Sequence, residues 1–191
     1  MLTQGGCKVK IQENGKWFVL IYMAGFLAGI LYANMIAKDY IASVGIFNDY
    51  FLETYAQMEI DTTEFLWYVA SVRLLPVAFL VITGISRLRR PAVLAFVLWT
   101  GFSSGLILTA AVMKLGAKGI VLCLVSLLPH MCCYVAGYLM FLWFLYTYPK
   151  TRWNLTKTVA FLFLMAVGIL LESYVNPTIM KIFIGNQKFF K

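Results

Sequence analysis

Five long apolar runs separated by short polar connections organise this chain, at about 17–37, 65–86, 91–113, 119–147 and 158–177. A bilayer core takes roughly 20 helical residues, and each run is of that order. The pattern predicts an all-α membrane protein: a five-span helical bundle forming one polytopic domain over residues 1–191. The fourth run, Gly119 to Thr147, contains no Lys, Arg, Asp or Glu and exceeds one membrane thickness. It is expected to tilt, to kink at Pro129, or to run past the lipid. Pro91 suits the first turn of the third helix, where a missing N–H costs nothing. The first run reads as an uncleaved span, because more spans follow and no small-residue cleavage site leads into a soluble domain. Residues 178–191 read as a tail too short to cross again.

The one sizeable connection, 38–64, has a different pattern. Phe47, Phe51, Tyr55 and Met58 recur at spacings of four, four and three, which places them on one helical face. Asp49 and Glu53 fall elsewhere on the wheel. An external amphipathic helix between spans one and two is expected, lying on the outer membrane surface. It would serve either as a lid on the bundle or as a docking surface for a partner. Phe47, Asp49, Phe51, Glu53 and Tyr55 are its docking candidates.

Composition agrees with the pattern. The chain is 62% hydrophobic and 13% charged, against about a quarter charged in soluble domains, so its main partner is the lipid bilayer. The net charge of +8 sits in short clusters beside the apolar runs. Such clusters are topology signals, and no aromatic–basic surface exists to read nucleic acid. Nine Lys and Arg fall on the side of the N-terminus, in 8–16, 87–90 and 150–157, and six on the other. The N-terminus is therefore expected in the cytoplasm of a cell membrane and the C-terminus outside. Asn154-Leu-Thr156 matches a glycosylation acceptor but falls in a connection read as cytoplasmic.

Three ionisable residues lie within the spans: Arg73, His130 and Glu172. A charge at mid-span costs a few kcal/mol and usually faces a partner inside the bundle. The alternating direction of the spans brings all three to a similar depth. A buried polar cluster is expected, in which Arg73 pairs with Glu172 and His130 adds a hydrogen bond. For His130, the lone histidine, three roles compete: a hydrogen-bonded packing residue beside the Pro129 kink, a proton-linked switch, and a metal ligand or catalytic base. The last lacks the further ligands that a metal would need. Neither a zinc-protease motif, nor a nucleophile elbow, nor a phosphate-cradling loop is present. The sequence thus points to no enzyme, no metal and no cofactor. Cys7, Cys123, Cys132 and Cys133 have no metal-ligand spacing, and the last three read as small hydrophobes. "GFLAG" at 25–29 and "GFSSG" at 101–105 are close-packing signals, and either could carry self-association into a homo-oligomer.

With these residues in view, "LLPH" at 127–130 and "LLESYVNP" at 170–177 resemble the stage II sporulation protein M family of bacterial polytopic membrane proteins. That family has a Pro-His in its penultimate conserved helix. Near its C-terminus comes a Glu, a small residue, an aromatic, an aliphatic, a small polar residue and Pro, matched here by Glu172 to Pro177. "FNDYFLETY" at 47–55 and Arg73 resemble the clostridial branch. The family's Pro-His is usually followed by Gly, with a Glu a few positions on; Met131 and Tyr134 stand there instead. The resemblance implies a non-enzymatic scaffold that recruits or anchors cell-wall-remodelling proteins, the stage II sporulation proteins D and P, during engulfment of the forespore. The rival reading is the membrane subunit of an exporter working with a separate ATPase.

Overall fold

The computed structural model describes residues 4–36, 54 and 61–185, with side chains described from Gly15 to Ile184. Six helices follow one another: α1 (Gln4–Met35), α2 (Thr62–Ile85), α3 (Arg89–Leu115), α4 (Ala117–Thr147), α5 (Leu155–Leu170) and α6 (Asn176–Gly185). A π-helical turn, Leu171–Val175, joins the last two. Five stretches are long and apolar enough to cross a membrane: Gly15–Met35, α2, α3, α4 and the continuous rod Leu155–Ile184. The chain is an all-α, multi-pass membrane protein. The surface segment expected at 38–64, with Phe47, Asp49, Phe51, Glu53 and Tyr55, lies almost wholly outside the described residues.

Local chemistry sets the helix ends. Asp61 caps α2, its Oδ1 accepting the N–H of Thr63 at 2.8 Å and of Glu64 at 3.3 Å. The second span therefore begins at Thr62, three residues before the apolar run does. Asn154 caps α5 by accepting from the Lys157 N–H at 3.2 Å, so the apparent glycosylation acceptor has a structural use. Between α3 and α4, Gly116 adopts φ 60°, where a side chain would be strained. The turn brings Gly119 so near α3 that a Cβ there would overlap the Ala111 carbonyl oxygen.

Helices α1 and α3 run parallel along a seam of small residues. Gly25, Gly29 and Ala33 are buried on α1, and Val93, Val97, Gly101 and Gly105 on α3. A Cβ at Gly25 or Gly29 would overlap the carbonyl oxygens of Leu98 or Phe102. One at Gly101 or Gly105 would overlap those of Tyr22 or Phe26. The backbones touch, and Tyr22 and Ser104 hydroxyls hydrogen-bond across the seam at 2.9 Å. Both glycine motifs therefore face each other inside one chain, which leaves neither for the self-association weighed above.

Helix α4 runs antiparallel to α5 and α6. Their contact holds the core, in which Tyr134, Phe141, Leu142 and Leu145 pack with Phe161 and Met165. Leu80 of α2 and Val93 and Val97 of α3 complete it. Pro129 lies within α4, which continues from Ala117 to Thr147 without a break. The fifth span does not stop at Pro177: the helix runs on to Gly185, so much of the expected tail is helical. Pro177 is the second residue of α6 and follows the π-helical turn directly.

Candidate functional site

The middle of the bundle holds its polar chemistry. Arg73 sits halfway along α2, and Glu172 is the second residue of the π-helical turn. Arg73 Nε donates to Glu172 Oε2 at 2.8 Å, and Nη2 donates to Oε1. This is the two-pronged geometry that matches guanidinium to carboxylate best. The Arg73 side chain is 33% exposed and that of Glu172 13%. At mid-span the exposed part borders lipid, where an unpaired charge is costly.

Tyr134 of α4 closes the cluster. Its hydroxyl donates to Glu172 Oε2 at 2.8 Å, and the Arg73 guanidinium carbon lies 5.0 Å from its ring centroid. One turn further on, the Tyr138 hydroxyl donates to the Arg73 main-chain carbonyl at 3.2 Å. Gly168 makes the room: a Cβ there would meet the Tyr134 ring at 2.6 Å. Helices α2, α4 and the turn after α5 are thus tied at one point. Both carboxylate oxygens are engaged by protein donors.

The π-helical turn explains how Glu172 reaches this position. The buried stripe of α5 falls on Phe161, Met165 and Gly168, and its next member would be Glu172. Beyond the turn the stripe resumes on Ser173, Pro177 and Ile184. One inserted residue shifts the register, so two consecutive side chains face inward. The Asn176 N–H bonds the Leu171 carbonyl, five residues back. Pro177 has no N–H to continue the ordinary ladder, which favours the wider turn just before it.

His130 does not hydrogen-bond to the pair. Its side chain is 2% exposed and meets Tyr134 edge-on, with ring centroids 5.9 Å apart. Its Nδ1 has no protein hydrogen-bond partner among the described residues. The expected hydrogen bond from His130 is supplied by Tyr134, because antiparallel packing places Gly168 and Glu172 opposite position 134. Tyr134 had drawn notice only as a departure from the family pattern; an apolar-looking tyrosine carries no charge signal.

Two more buried polar atoms without a protein partner among the described residues, Ser173 Oγ and Asn176 Oδ1, lie on the same seam. Leu122 packs with Met180 and Ile184. The stripes Leu122–Ser126–His130–Tyr134 and Asn176–Met180–Ile184 therefore face each other at four-residue spacing. Pro129, beside His130, lacks the N–H that would reach the Val125 carbonyl. Met131 is half-buried against the core. Cys123 is buried and Cys132 exposed, and with Cys133 they are free thiols. No group of three or more His, Cys, Asp or Glu is placed to hold a metal among the described residues.

Comparison with known proteins finds no family model, no curated protein and no solved structure that matches this chain.

Proposed function

We propose that this chain is a non-enzymatic membrane scaffold with a role similar to that of stage II sporulation protein M. It would recruit or anchor cell-wall-remodelling partners during engulfment of the forespore, with its N-terminus in the cytoplasm and its C-terminus outside. The observation that carries the reading is the engagement of Glu172. This residue opens the Glu-Ser-Tyr-Val-Asn-Pro pattern, and both of its oxygens are taken by Arg73 and Tyr134. A carboxylate held this way, accepting two hydrogen bonds from Arg73 and one from Tyr134, braces three helices. Bracing is what a scaffold needs, and a reactive centre would need the opposite. Partner docking falls to the 38–64 segment, through Phe47, Phe51 and Tyr55 with Asp49 and Glu53 beside them.

The test is co-purification of the full chain with the stage II sporulation proteins D and P from co-expressing membranes. Capture by the wild type, and its loss on changing Phe47, Phe51 and Tyr55 together to Ser at equal membrane level, is the expected result. Equal capture by both forms refutes docking through this segment, and no capture by either refutes the role.

One observation favours the exporter alternative. The fifth span changes to a π-helical turn partway along, next to Ser173 Oγ and Asn176 Oδ1, which are buried and have no hydrogen-bond partner among the described residues, and irregular helices at such depths are common in transporters. Substrate-dependent activity of a co-purifying ATPase would decide for it.

A further inference from the structure

At the end of the bundle where α2 passes into α3, a cavity of about 270 Å3 opens between Gly84, Ile85, Arg89, Phe144, Leu145 and Tyr148. One water takes up about 30 Å3, so the space suits a larger occupant. Ile85, Phe144 and Leu145 supply the hydrocarbon part of its wall, and polar atoms supply about as much again. Its rim is cationic: the Arg89 guanidinium carbon lies 4.3 Å from the Tyr148 ring centroid. That cation–π contact holds the guanidinium at the rim. Arg87 and Arg90 flank it, exposed, and Lys150 and Arg152 follow Tyr148 in the next connection. Among the acids with described side chains, Asp61 and Glu64 lie at the opposite end of α2, and Glu172 is held by Arg73. This end therefore presents positive charge above a cavity with a partly hydrocarbon wall, with no described carboxylate to answer it.

We propose that this cavity binds an anionic phospholipid, with the phosphate on Arg89 and an acyl chain against Ile85, Phe144 and Leu145. Ile85 is 86% exposed and, in a chain that crosses the bilayer, opens the cavity toward lipid. Topology alone accounts for basic residues in short connections. It does not account for an arginine held against a tyrosine ring at the mouth of a cavity with a partly hydrocarbon wall. The inference needs only the multi-pass placement and is independent of the scaffold role.

The test uses the full chain reconstituted in nanodiscs of phosphatidylcholine and phosphatidylglycerol, with retained lipid read by native mass spectrometry. The wild type is expected to retain phosphatidylglycerol preferentially. Arg89→Gln lowers that preference about fivefold, the weight of one basic residue near an anionic surface. Arg152→Gln, outside the cavity, lowers it less than about twofold. Ile85→Trp obstructs the mouth of the cavity without changing charge and also reduces retention, which keeps the test open if Arg89→Gln fails to fold. Equal losses for Arg89→Gln and Arg152→Gln would mean diffuse charge and overturn the proposal. Equal retention of phosphatidylcholine by the wild type, or undiminished retention by Ile85→Trp, would also overturn it. So would displacement of the lipid by free glycerol phosphate, which would assign the cavity to soluble phosphates.

Discussion

Helices α1 and α2 neighbour the same core, yet they are attached in opposite ways. Helix α1 lies along α3 with Gly25 and Gly29 against the Leu98 and Phe102 backbone, and Gly101 and Gly105 of α3 against that of Tyr22 and Phe26. Its attachment is distributed over several turns and built on backbone-to-backbone contact, with one hydroxyl hydrogen bond, Tyr22 to Ser104, across it. Helix α2 buries only Val69 and Leu80 and turns much of its surface to lipid. What fixes its position is concentrated in Arg73, through Glu172 and the Tyr138 hydroxyl. Lipid tails are as apolar as the helices they surround, so hydrophobicity gives α2 little reason to choose the bundle. Either close packing or a polar bond must supply that reason, and this protein uses one for each helix.

The contrast can be broken most sharply at Glu172. Removing one member of a buried ion pair costs about 3–5 kcal/mol, because the other charge is stranded. Glu172→Gln is expected to destabilise the purified protein by about 3 kcal/mol in detergent unfolding. Arg73→Met in the same chain should recover part of that loss. Strict additivity of the two changes would mean that the attachment of α2 does not depend on the pair.

A smaller loss is expected from the distributed seam. Gly101→Leu forces α1 away from α3 at one turn while the neighbouring turns remain, an overpacking cost of about 2 kcal/mol. The expected signature is a lower unfolding midpoint with the Arg73–Glu172 coupling unchanged. A loss larger than that of Glu172→Gln would reverse the ranking of the two attachments.

The smallest effect belongs to Tyr134→Phe, which deletes one hydrogen bond and leaves the two-pronged pair in place. Hydrogen bonds within membranes average near 0.6 kcal/mol, so a destabilisation of about 1 kcal/mol or less is expected. Combining it with Glu172→Gln should add nothing further, since the acceptor oxygen is then already altered.

The five spans were legible because apolar length against bilayer thickness is a local property of the chain. Arg73 and Glu172 were conspicuous for the same reason: each is a charge in an apolar run. His130 stood out in the same way, but being ionisable did not make it a member of the pair. Tyr134 and Gly168 have no such mark, since tyrosine and glycine are ordinary in membrane helices. Their importance comes from standing opposite each other across α4 and α5, 34 positions apart in the chain. Pro177 looked like a terminus because proline usually breaks helices. With the π-helical turn before it, the helix continues.

The sequence by itself determined that this is an all-α protein of five membrane spans, because hydropathy and helix length are decided residue by residue against the bilayer. It also determined which residues carry charge inside those spans. Only the tertiary structure decided which polar atoms meet. The inserted residue at Leu171–Val175 turns Glu172 and Ser173 inward together, and the space above Gly168 brings in Tyr134 rather than His130. Both depend on how antiparallel helices register against one another, which no single stretch of the chain contains.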